Sequence, residues 1–279
     1  MTTLDLREGM LSLKFGETPR HQHPNGGGWI ADTATVEADA FIGPDAVVLE
    51  YAHILGNAQV TDNATVTGHA IVKENAIISG KAKVSGNAII SGRAKVHTRA
   101  HVCGFAEISG NADIGSTTWV GDHAQIFDDA RLRGHAGVHE HAKVHGSARL
   151  DESALVDNYA EVAGQAIVRG RAKIVGRAKL SSTWRGLIDG DAIVAGDAAV
   201  LDNAKIGNDA RIYGSAVIRD SGRVYGHAQV YGDAVVSGQT RIYGNAEVYG
   251  TAKVSGSGSV YGDHKVSEGE ITTTLTNEE

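Results

Sequence analysis

The chain is poor in cysteine, proline and aromatic residues, with one, three and 5% respectively in 279 positions. A lone Cys103 excludes an internal disulfide framework and fits a reducing compartment. So few aromatics beside a hydrophobic fraction of 42% mean a core of Val, Ile and Ala, which must be narrow. Long blocks of Lys or Arg are missing and the formal net charge is -7, so no surface built for phosphate backbones is expected and nucleic acid is a poor partner. No run approaches the ~20 apolar residues of a membrane span. Met1 to Lys14 also lacks a basic start followed by an apolar stretch. These absences predict a soluble chain outside the membrane and not exported by the Sec route, cytoplasmic or, if phage-encoded, part of a virion.

What is present is glycine, 36 residues of it, and a short repeat. From Ile30 an aliphatic residue occupies every sixth position to Leu180, 26 in succession. A two-residue insertion in "SSTWRGLI" then shifts the frame, and 14 more follow from Ile188 to Val266. Two places before each aliphatic stands a small residue, nearly always Ala, as at Ala58, Ala142 and Ala246. Two inward positions two apart describe one short strand per hexad. The pair ahead of the Ala, such as Gly86-Asn87 or Gly232-Asp233, tolerates left-handed backbone angles and makes a corner.

The position after the aliphatic runs Tyr225, Tyr231, Ser237, Tyr243, Tyr249, Ser255, Tyr261. Tyrosine fails at every third hexad, so the structural unit is a coil of three sides with one hexad to each side. The predicted fold is therefore all-β: a single-stranded, three-sided parallel β-helix of about thirteen coils, roughly 60 Å long, with the insertion near Trp184. Residues 28–266 form this helix, 1–27 an N-terminal cover, and 267–279 a C-terminal tail or cover.

The hexads "IGPDAV" and "IGNDAR" resemble those of the hexapeptide-repeat proteins, and the resemblance implies a left-handed helix. Most hexads depart by placing Gly one position later, as in "IYGNAE". The opening "GGGWIADTATVEADAFIG" is similar to that of the YdcK-like acyltransferases and of related phage and bacterial proteins with V-x-G-[DN]-A-x repeats. The family's acyltransferases imply a general-base histidine two before the small residue, and here that slot never holds His. They also extrude a long corner loop, whereas the only interruption here is two residues. An acyltransferase of this kind would draw its base from His123, His139, His141 or His145 at another position and would use acyl-coenzyme A; otherwise no cofactor is implied. The segment "HEHAKVHGSA" resembles the zinc phrase of γ-class carbonic anhydrases at His145-Gly146, but Glu140 stands in the earlier ligand slot. For a metal, the spacing stacks His123 on His141 with Tyr159 above, and sets His139 beside Asp157.

The surface that stands out is aromatic. Tyr213, Tyr231 and Tyr249 form one expected column and Tyr225, Tyr243 and Tyr261 another, with Arg223 and Arg241 flanking the second. Such a ladder can bind a sugar, a planar ligand or a protein, or simply stabilise stacked strands. The third face, with Val217, Val235, Ser237 and Ser255, is small and flat and suits a homotrimer. Trp29, Trp119 and Trp184 read as packing residues, and the outward pair Ile71 and Ile89 as a sticky patch. The leading expectation is a rigid, non-enzymatic scaffold or binding module, such as a phage structural or host-interaction protein. Acyl transfer is the alternative, and a metal hydratase comes third.

Overall fold

The computed structural model describes residues 18–183 and 186–275. Every regular element among them is a β-strand, most only two residues long. Among the described residues no helix is long and apolar enough to cross a membrane. The chain divides into two units, Met1–Ser116 and Thr117–Glu279.

In the first unit the strands Trp29–Ala31, Val47–Val48, Thr65–Val66, Lys83–Val84 and His101–Val102 pair in parallel along one face. The faces starting at Thr35–Val36 and Phe41–Ile42 repeat the pattern, so this unit winds five coils. Partners lie three hexads apart, as in Ile71 with Ile89, the half-buried outward pair. Arg20–Gln22 runs antiparallel to Trp29–Ala31 and closes the starting edge of its sheet, a strand that the repeat itself does not encode.

The second unit continues the rule over more than eight coils. Lys179 pairs with Glu161 at the usual spacing of three hexads, and with Ala199 at that spacing plus two, so the insertion is absorbed at one corner. Trp184, named above as packing, lies outside the described residues. Pairing runs on to Glu270–Ile271, which adds to Lys253–Val254.

The core follows from the hexad. All forty repeat aliphatics are buried except Val36, which sits half-exposed in the first coil. Burying each Val or Ile is worth about 1.5–3 kcal/mol against leaving it in water. Alanine fills the second inward slot because the interior is too narrow for more. Thr118 and Thr240 replace it, and their Oγ1 atoms are buried without a hydrogen-bond partner among the described residues.

The corners hold a second ladder. From Glu50 onward the first corner residue is left-handed except at the Ser182 corner, Gly at most positions and Asp, Glu, Asn, Thr98 or Ser116 at the others: Asp62 has φ 56° and Gly80 φ 67°. Acidic residues at this place accept the backbone N–H one coil later, as Glu50 does from Gly68 at 2.8 Å, Asp128 from Gly146 at 3.0 Å and Asp220 from Gly238 at 2.9 Å. A carboxylate thus satisfies a donor that the sheet ladders leave over.

Candidate functional site

Both tyrosine columns form, and their chemistry differs. Tyr213, Tyr231 and Tyr249 stack at 4.8 and 5.0 Å. Two of the hydroxyls are spent internally: Tyr213 donates to Gln229 Oε1 at 3.1 Å and Tyr231 to Glu247 Oε2 at 2.9 Å. Burial pushes the Tyr231 hydroxyl up to about 12, with the Glu247 bond adding to it. Lys265, 2.8 Å from Glu247, holds that carboxyl below its ordinary value, and the Tyr231 bond does the same. This column is a closed network that stabilises its own face.

The second column is open. Tyr225, Tyr243 and Tyr261 stack at 5.2 and 5.4 Å, with interplanar angles of 3° and 14°. Their hydroxyls meet no protein partner among the described residues. Beside them Lys205, Arg223 and Arg241 stand in register on adjacent strands, all exposed. None of the three cations has a carboxylate partner or a side-chain hydrogen bond among the described residues. Like charges carried on strands about 4.8 Å apart repel one another, so the column is costly to the free protein. Lys205 escapes a reading centred on tyrosine, although it stands one full coil before Arg223. These residues line an open groove of 420 Å³ whose far wall is Asp189 and Leu187.

A second hollow, of 560 Å³, lies between Trp119, His135, His139, Leu155, Arg171 and Lys173. It exists because Gly137 stands where its strand neighbours carry Trp119 and Leu155. The His139 ring lies over that glycine, and a Cβ there would come within 2.8 Å of Nε2. Trp119 is 52% exposed and meets His139 edge-on at 6.5 Å, so it lines a hollow more than it packs. The signal for this site was Gly137 itself, one coil after a tryptophan.

The histidines separate. His123 stacks on His141 and His141 on Tyr159, each pair at 4.9 Å, as the spacing predicts. His139 does not join them; the corner turns it toward Trp119. Asp157 accepts the Asn158 backbone N–H at 2.7 Å. The four metal candidates therefore do not converge, and among the described residues no group of three His, Cys, Asp or Glu is placed to hold a metal ion. His145 lies flat on Phe127 at 4.6 Å and bonds Glu161 at 2.9 Å through Nε2, so it is held as a structural link. Cys103 is half-buried.

No protein-family model matches the chain, and no curated protein matches it. Among solved structures it is similar to the Arabidopsis UDP-N-acetylglucosamine acyltransferase, at 14% identity over 75% of this chain and 67% of that one, with a TM-score of 0.22. It is similar also to the UDP-N-acetylglucosamine O-acyltransferase LpxA from Moraxella catarrhalis RH4, at 15% identity over 76% and 68%, with a TM-score of 0.15. Neither score supports a correspondence between side chains, so the sites above rest on this chain's own residues. The hexads, interrupted once, and the parallel three-sided coils they build are those of the hexapeptide-repeat β-helix fold.

Proposed function

We propose that the chain is a non-catalytic recognition scaffold whose Arg223 face binds an acidic polysaccharide. The observation that carries this reading is the column of Lys205, Arg223 and Arg241, in register, exposed and, among the described residues, unpaired. Cations recurring once per coil, every ~4.8 Å, match one anionic group per sugar unit of a linear glycan lying along the helix axis. Tyrosine edges beside them supply hydroxyls for the sugar hydroxyls. The phosphates of a nucleic-acid backbone are spaced differently from this column. The test is a binding assay with an alginate-type uronic acid polymer and its uncharged analogue. The double substitution Arg223→Gln with Arg241→Gln should abolish polymer binding while leaving the fold intact. Equal binding by that variant would remove the proposal.

The face carrying Val217 and Val235, in register and half-buried, is then the packing face of a homotrimer. A monomeric mass in solution would count against that arrangement.

A second reading, acyl transfer from acyl-coenzyme A, is favoured by one observation: the hollow of 560 Å³ that sets His139 beside an exposed tryptophan, an apolar floor and the cations Arg171 and Lys173. His139 would act as the general base, with Trp119 and Leu155 against the donor. Calorimetry with acetyl-coenzyme A is the test. No heat, or heat unchanged in Trp119→Ala, would dispose of it.

A further inference from the structure

The open tyrosine column has a missing rung. Reading down its face from Tyr261, the stacked positions are Tyr243, Tyr225, Gly207 and Asp189, and the last is bound by Arg169 at 2.9 Å. An aromatic ladder thus runs down to Gly207 and an ionic pair begins below it, with only the tip of the Asp189 carboxylate reaching up to the Gly207 level between them. The backbone does not demand glycine there. Gly207 is not among the residues with positive φ, and a Cβ would meet only the Asp189 carboxylate, Oδ1 at 2.6 Å and Cγ at 3.8 Å. That carboxylate is the far end of a side chain and can move. The lower ring face of Tyr225 consequently looks into the 420 Å³ groove.

Two coil spacings, about 9.6 Å, separate the Tyr225 and Asp189 levels. One planar ring placed at the Gly207 level would lie from Tyr225 at the same distance as Tyr243 does on its other side, 5.2 Å. Asp189 Oδ1 rises to this level, 2.6 Å from where a Gly207 Cβ would stand, while Oδ2 is held by Arg169, so Oδ1 lies at the rim of the slot and can accept from an N–H on the ring edge. Beside it lie Lys205 and Arg223, two residues along the strand from the ring column and without carboxylate partners among the described residues. A ring alone would leave those charges unanswered, and an anion alone would leave the Tyr225 face bare.

We propose that the space over Gly207 is a slot for one planar heteroaromatic ring bearing a phosphate, the chemistry of a nucleoside monophosphate. The ring continues the stack below Tyr225, Asp189 accepts from its edge, and the phosphate lies against Lys205 and Arg223. The site takes a single nucleotide and not a nucleic-acid strand, because Tyr225 and Asp189 close it above and below. It rests on the reading of this face as an anion site and adds to it a small ligand at its lower end.

The experiment is calorimetry of the full chain with AMP and GMP, with adenosine and inorganic phosphate as controls. AMP or GMP should bind more tightly than either control. Gly207→Tyr, which supplies the missing rung from the protein, should stay folded and lose nucleotide binding by about tenfold or more. The exposed substitution Arg223→Gln should weaken it by about tenfold, the loss of one charge-assisted bond. Nucleotides that bind no better than phosphate, or bind Gly207→Tyr as well as the parent, would overturn the slot. Polymer binding by Gly207→Tyr keeps the two ideas apart: if it persists while AMP never binds, the slot falls and the polysaccharide face stands.

Discussion

Asp62 accepts the backbone N–H of Gly80 at 2.8 Å, across one full coil of the helix. Both residues have left-handed backbone angles. The corner that makes the turn thereby also carries the acceptor for the next corner's donor.

Asp62→Ala should cost about 1–2 kcal/mol, since the bond involves a charged acceptor and its loss leaves a backbone donor to water. Because solenoid coils can open locally, the readout is amide exchange at Gly80. Its protection should drop in Asp62→Ala and largely return in Asp62→Asn. Unchanged exchange would show the carboxylate to be idle.

Thr240→Val should stabilise the second unit by about 1 kcal/mol. Thr240 is fully buried and its Oγ1 lacks a partner among the described residues, so a methyl of the same shape removes a desolvated hydroxyl without opening a cavity. Urea denaturation checks it, and a lower midpoint would refute it.

Tyr231 should titrate well above ordinary tyrosine, near the value of about 12 that burial and Glu247 give it. A folded value raised above the unfolded one favours the protonated form. That contribution to stability is fully present below about pH 10 and is lost as pH rises through about 12. Tyrosinate absorbance of the parent minus that of Tyr231→Phe isolates the step. Glu247→Gln should bring it down.

The in-register cations predict a salt effect that needs no ligand. Adding salt should raise the melting temperature of the parent, and by less in Arg223→Gln, because screening relieves a repulsion that the substitution has already reduced. Equal salt responses would mean that the column is not strained.

The fold was legible because its signal is redundant. Forty aliphatics at one spacing fix the strand, and the break at Ser237 and Ser255 fixes the coil. The tyrosine ladders were legible for the same reason, as were the stacked His123 and His141. What the residues hid were absences and directions. Gly207 and Gly137 each leave a space, but among 36 glycines they look like the corners that surround them. His139 and His141 are near neighbours in the chain, and only the corner geometry sends one to Trp119 and the other to His123. The carboxylate caps were hidden because the partner of each acid is a backbone group, which sequence does not label.

The two-residue insertion at the Ser182 corner passes through without altering which face each later strand joins. A gain or loss of one hexad would not be so mild. The inward pattern would survive intact, so the variant would fold, yet everything downstream would turn by one third of a revolution relative to what precedes it. Tyr225 would then stand over a different neighbour than Gly207. Core and surface thus obey separate clocks, one hexad for the first and three for the second, and only length changes in whole coils keep both in step.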